Sequence, residues 1–123
     1  MFIVVSPSDP DPIYRQIEKQ IINAIASGEL TEQTKLPSIN EMTKDLGISS
    51  ITVKRVYSDL ETEGYIYTRM GIGSFIAPVD KQKLKREKVE EMKSRLWVMI
   101  KDSEQYGITK NDLLQLIKEM EDR

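Results

Sequence analysis

Apolar positions along this chain keep a helical rhythm for most of its length and switch once to an alternating one. Ile13, Ile17, Ile21 and Ile25 recur every four residues, and Ile22 and Ala24 widen the stripe, which predicts an amphipathic helix. Asp11 stands where an N-cap would, Pro12 where the first turn begins, and Gly28 where the helix would end. Ile39, Met42 and Leu46 predict a second, shorter helix that Ser38 opens, with Glu41 three residues on to form a capping box. After Gly47, Ser49 caps a third helix whose Val53, Val56, Tyr57 and Leu60 fall at i, i+3, i+4 and i+7, and Gly64 stops it. Two helices joined by so short a turn, with a glycine in it, carry the helix-turn-helix pattern.

Beyond Gly64 the period changes to that of strands. "YIYTR" and "GSFIA", flanking "MGI", predict a β-hairpin that Pro78 closes. A long charged helix is expected from Lys81 to Tyr106, with Val89, Met92, Leu96, Met99 and Tyr106 spaced by threes and fours and Ser103 in one slot, as in a helix-packing seam. Gly107 breaks it, and Thr109 caps a last helix with Leu113, Leu114, Ile117 and Met120 on one face. The prolines of "SPSDPDP" make residues 1–10 an arm, and "ELTEQTKLP" is a connector with a short strand at Lys35-Leu36. The fold class expected is mostly α with a small β-hairpin. A winged helix-turn-helix domain takes residues 1–78, and a two-helix C-terminal part takes residues 79–123.

Composition narrows the chemistry. The 123 residues contain no cysteine, which excludes disulfides and thiolate chemistry, and no histidine, so the commonest general base and metal ligand are missing. No paired-carboxylate motif replaces them. The expectation is therefore a protein that is not an enzyme, with no cofactor and no metal. No apolar run approaches the roughly 20 residues that span a bilayer, and the start lacks a basic leader, so a cytoplasmic protein with no membrane partner is expected. Formal charge is −2, which does not announce a nucleic-acid partner. Residues 1–77 hold 7 Lys and Arg against 10 Asp and Glu, and residues 78–123 hold 11 against 10.

The third helix has a second face. With Val53 to Leu60 inward, helical rotation turns Ile51, Lys54, Arg55 and Ser58 outward. In a winged helix-turn-helix this helix enters the major groove and reads bases with its N-terminal residues. The free N–H groups at its start, with the Ser49 and Ser50 hydroxyls, suit a phosphate. Lys54 or Arg55 suits a guanine edge, and Ile51 suits a thymine methyl. A charged helix face alone is most often only solvated, and glycines alone are ordinary in hairpins. Here an outward Ile51 and a wing with Arg69 beside Gly71 and Gly73 follow in order.

"PIYRQIEKQIINAIASGEL", "LPSINEMTKDLGISSITVKRVYSDLETEGYI" and "GIGSFIA" resemble successive blocks of the GntR family of bacterial transcription regulators, over roughly Pro12 to Ala77. The short remainder is similar to the YtrA-type subfamily, whose C-terminal part is minimal and helical. The resemblance implies a sequence-specific regulator, a repressor in the usual case, that binds double-stranded operator DNA, often at operons for membrane transporters. It implies DNA contacts at Asn40, Ser50, Ile51, Thr52, Lys54 and the wing around Arg69, Gly71 and Gly73. Together with the residues read from the helix starts, the candidate DNA-binding set is Ser38, Asn40, Ser49, Ser50, Ile51, Thr52, Lys54, Arg55, Arg69, Gly71 and Gly73. Three departures stand out: Asn40 and Ser50 where the family usually has arginine, and Glu32-Gln33 where it favours Pro-Gly. The first two imply an operator sequence of this chain's own and weaker binding per subunit.

So few cations hold DNA poorly in a monomer, which points to a homodimer on a palindromic site. The seam has two readings, an intrachain hairpin and a subunit interface, and both together are expected because one short helix covers only part of the long one. Val89, Met92, Leu96, Trp97, Met99, Leu113 and Ile117 are the candidate interface residues, with Trp97 and Met99 as anchors; the alternative for Trp97 is packing only within its own subunit. Two helices leave little room for a buried ligand pocket, so a small-molecule effector would have to bind at a dimer or domain interface. The alternative is a winged-helix protein-interaction module without a DNA role, supported by the acidic balance of residues 1–77.

Overall fold

The computed structural model describes residues 3–120; Met1 and Phe2, which belong to the expected arm, and residues 121–123 lie outside the described residues. The chain divides into two compact units, one ending at Lys81 and the other beginning at Gln82.

The first unit is built on three helices, α1 (Ile13–Ser27), α2 (Ile39–Leu46) and α3 (Ser50–Thr62), followed by β1 (Ile66–Arg69) and β2 (Gly73–Ile76). The four-residue spacing of α1 does what it predicts: Ile17, Ile21, Ala24 and Ile25 are buried. They meet Val53, Val56, Tyr57 and Leu60 of α3, while Met42 is the buried residue of α2. Ile66 and Ile76 pair across the hairpin and close the core from below α3. Each fully buried aliphatic side chain contributes about 1.5–3 kcal/mol of hydrophobic stabilisation, so this cluster is what holds the helices in register.

Local capping matches expectation in α2 and departs from it in α1. The Ser38 hydroxyl accepts from the Glu41 N–H at 3.0 Å, and the Ser38 N–H donates to Glu41 at 3.4 Å, which completes the capping box. At α1 the N-cap is Pro12, without a side-chain cap, and not Asp11. The Asp11 carboxylate pairs with Lys19 instead, and the Asp11 carbonyl accepts from the Gln16 amide at 2.9 Å. The long reach to Lys19 takes this carboxylate away from the helix start.

The arm is held to α1 by two glutamines one helical turn apart. Gln16 accepts from the Ser6 N–H (2.8 Å) and donates to the Ser6 carbonyl (2.9 Å). Gln20 does the same for Val4, at 2.9 and 2.6 Å. Residues 4 and 6 of an extended segment present N–H and C=O on one side, so the two amides copy the pairing of a neighbouring strand.

The connector joins the wing. Lys35 bridges to Phe75, the Leu36 N–H donates to the Ser74 carbonyl at 2.9 Å, and the Ile76 N–H donates to the Thr34 carbonyl at 2.9 Å. The expected short strand at Lys35-Leu36 is thus a single bridge at the hairpin edge. Buried Tyr57 fixes its other end by donating to the Pro37 carbonyl at 2.5 Å, and burial raises its phenol pKa above the usual range.

The second unit comprises α4 (Lys81–Glu104) and α5 (Lys110–Glu119), and neither helix holds a buried residue. The expected long helix ends two residues before Tyr106, where the Gly107 N–H turns back to the Glu104 carbonyl. The expected intrachain hairpin does not form. Ile100, Ser103 and Leu113 beside the turn are half-buried, but Met92, Leu96, Trp97, Met99, Leu114, Ile117 and Met120 are all exposed. Contact near the turn alone leaves both apolar faces uncovered. The helix α4 is supported locally by Lys88–Glu91, Arg95–Glu91 and Lys101–Glu104 pairs and by Lys101 over the Trp97 ring at 4.5 Å.

Candidate nucleic-acid interface

The start of α3 is assembled as a donor surface. Ser49 is the N-cap, and its hydroxyl accepts from the Ile51 N–H at 3.1 Å, which leaves its own proton free to donate outward. Ser50 and Thr52 are half-buried in the first turn, and Ile51 is 76% exposed beside them. An aliphatic side chain left this open has no role in the core. Lys54 is exposed one turn on and makes no ion pair among the described residues. On α2, Ser38 is occupied by its capping box, and Asn40 is exposed in the first turn.

Arg55 is placed differently from Lys54. Its guanidinium lies 3.7 Å from the centre of the Tyr14 ring, and its Nε is 3.7 Å from Asp59. It therefore ties α3 to α1, whereas Lys54 on the outward face makes no ion pair among the described residues.

The wing is stiff. Tyr67 and Phe75 are register partners, with stacked rings 5.6 Å apart, and Arg69 lies about 6 Å from both rings at 6.0 and 5.8 Å. At the tip the Ile72 N–H donates to the Arg69 carbonyl at 3.0 Å, a turn that needs a positive φ at Gly71 (76°). Gly73 has φ of 147°, and a Cβ there would come within 2.7 Å of the Lys35 Cε. The missing side chain thus lets Lys35 lie across the hairpin opposite Arg69, since Arg69 and Gly73 are paired. Lys35 was legible only as a connector residue; the signal was its position two residues before "PS", which carries no chemistry until the hairpin folds against it.

One electrostatic feature lies beneath this surface. Glu18 is 2% exposed, holds Arg15 at 3.4 Å, and leaves Oε1 without a hydrogen-bond partner. Burial, then the neighbouring Asp59 carboxylate, push its pKa from 4.5 to about 7, with Arg15 opposing and Glu63 adding to the rise. Because Asp59 also holds Arg55, the chain Glu18–Asp59–Arg55–Tyr14 links α1 to α3.

Among the described residues no cluster of acidic side chains could hold a metal ion, and no helix is long and apolar enough to cross a membrane.

Comparison with known proteins agrees with this geometry. The family described as bacterial regulatory proteins, gntR family, matches residues 13–76. The HTH-type transcriptional repressor YtrA of Bacillus subtilis is 32% identical over 118 residues, covering 96% of this chain and 91% of its own. A GntR family transcriptional regulator from Listeria monocytogenes superposes with a TM-score of 0.72 at 29% identity, covering 93% of this chain and 99% of that one. The DNA-binding domain of AraR in complex with operator ORX1 superposes with a TM-score of 0.54 at 28% identity, covering 61% of this chain and 93% of that one.

Proposed function

Because this chain belongs to the GntR family of bacterial transcription regulators and to its YtrA-type group, we propose that it is a repressor that binds a palindromic operator as a homodimer. The base-reading surface is the start of α3, with Ile51 against thymine methyls, Lys54 against a guanine edge or phosphate, and the free N–H groups at Ser49 and Ser50 on a phosphate. Arg69 and Lys35 of the wing hold the backbone beside it. The observation that carries the reading is the exposed, unpaired Ile51–Lys54 face at the capped start of α3 in a winged domain. The YtrA-type resemblance extends the proposal to a transporter operon as the target.

The dimer rests on the uncovered faces of α4 and α5. Trp97 and Met99 are of the residue types that anchor interface cores, and Val89, Met92, Leu96, Leu113 and Ile117 complete one apolar surface. A second copy of this chain is its natural cover, since each copy presents the same face and a two-fold interface is self-complementary. An effector would bind where those copies meet.

The test is a salt titration of binding to random duplex, followed by footprinting on duplexes selected by the wild-type chain. Affinity should fall steeply with salt, and each phosphate contact removed should lower the slope by about one unit. Lys54→Ala and Arg69→Ala should each abolish operator protection while the dimer persists in sedimentation. Absence of binding at low salt would leave the winged domain as a protein-interaction module, and unchanged footprints in both variants would remove this docking.

A further inference from the structure

The tip of the wing is apolar where hairpin tips usually carry turn-forming polar residues. Met70 is 94% exposed and Ile72 is 58% exposed, and only Gly71 separates them. Neither side chain is needed to build the hairpin, whose core contacts are made by Ile66 and Ile76 and whose turn is closed through backbone atoms. Isolated exposed aliphatics are ordinary on protein surfaces. Two adjacent ones at the apex of a stiffened projection are not explained that way.

Resting on the DNA-binding reading above, we propose that Met70 and Ile72 form an apolar wedge that enters the minor groove beside the base-reading helix and opens a base step there, so that the wing bends the operator. Three observations favour DNA as the occupant. Cations flank the tip on both sides, Arg69 on β1 and Lys35 laid over Gly73 of β2, and suit the phosphates that border a groove by their charge. The tip is pre-ordered by the Arg69–Ile72 turn, the Tyr67–Phe75 stack and the Lys35 bridge, so insertion orders little new chain. The winged domain is also poor in positive charge, with 7 Lys and Arg against 10 Asp and Glu in residues 1–77, so contacts that do not depend on charge must carry part of the affinity. Apolar side chains wedged between base steps unstack them and kink the duplex, and pyrimidine–purine steps yield most readily. The wedge thus adds a sequence preference without a hydrogen bond to any base.

The experiment uses the full chain and duplexes it selects from a random library. The bend is read by fluorescence transfer between the duplex ends, and unstacking by 2-aminopurine placed along the site. Wild type should bend the duplex and brighten the probe at one step. Met70→Ala/Ile72→Ala should keep the same footprint and salt slope, lose the bend and the brightening, and bind about tenfold or more weakly. Met70→Lys/Ile72→Lys, which keeps the tip exposed and adds phosphate attraction, should steepen the salt slope without restoring the bend. A selected duplex that is protected yet straight, or a bend that survives both variants, overturns the wedge alone. If the wild-type chain selects no duplex, the DNA-binding reading falls and the wedge with it.

Discussion

Glu18 shows how a residue far from any ligand can set the pH behaviour of the domain. Its pKa in the folded state is raised from 4.5 to about 7, so the folded chain holds this proton more tightly than the unfolded one. The sign follows: stability is highest below the unfolded value and falls as pH rises from about 4.5 to 7, by roughly 3 kcal/mol if this group acted alone. Glu18→Gln keeps a neutral side chain that can donate to Asp59, so it should stabilise the domain by about 2 kcal/mol at pH 8. Urea unfolding at several pH values checks this, and a gain that fails to shrink on going to pH 5 would refute it. Nothing in the sequence marks Glu18 as buried; its burial arises only when α1 packs against α3, which also brings the Asp59 carboxylate beside it. Arg55 and Lys54 are adjacent and chemically alike in sequence, and the Tyr14 ring and the Asp59 carboxylate separate their roles. Gln33 is the third such case. It holds a positive φ of 68°, a conformation that costs a non-glycine residue on the order of 1 kcal/mol, and it stands where the family resemblance implies a glycine. The departure was visible in the sequence, but its strain was not.

At the scale of elements, the helices and the hairpin were legible because each has a period, a start signal and a stop signal. The capping box at Ser38 and Glu41 and the inward faces of α1 and α3 follow directly from spacing. The Asp11 cap did not follow, because a carboxylate one residue before a proline has two partners within reach and Lys19 wins. The arm was legible only as irregular chain, since side-chain amides that substitute for a strand leave no period to read. Its attachment is nonetheless specific. Gln16 is 6% exposed and satisfies three backbone groups, the Ser6 N–H and carbonyl and the Asp11 carbonyl. Gln16→Ala should therefore cost about 1–3 kcal/mol and free the arm. Hydrogen exchange should then speed at the Ser6 and Val4 amides while the α3 amides stay protected; unchanged exchange at Ser6 would mean the clip is not what holds the arm.

For the whole molecule, the second unit sets the terms. Two amphipathic helices without a buried residue do not explain their own stability, because an isolated helix gains most of its stability from packing. If a second copy covers them, helix content in this region depends on protein concentration. Dilution should lower the far-ultraviolet helical signal and shift Trp97 fluorescence together, while the winged domain stays folded. Trp97→Ala should weaken self-association by about 2 kcal/mol, roughly thirtyfold in the dissociation constant, measured by analytical ultracentrifugation. Sedimentation identical to wild type would remove Trp97 from the interface. The apolar spacing of α4 was readable from the sequence, but whether that face closes within the chain was not. That outcome depends on how the turn at Gly107 directs α5, which no periodicity encodes.

The glutamine clip has a consequence for how the arm can vary. Gln16 and Gln20 grip only peptide groups at Ser6 and Val4 and touch neither residue's identity in doing so. The grip is blind to spelling: any residue that retains an N–H can be threaded through it, and only proline at either position breaks it. Positions 4 and 6 can thereby be rewritten without renegotiating the arm's attachment to α1.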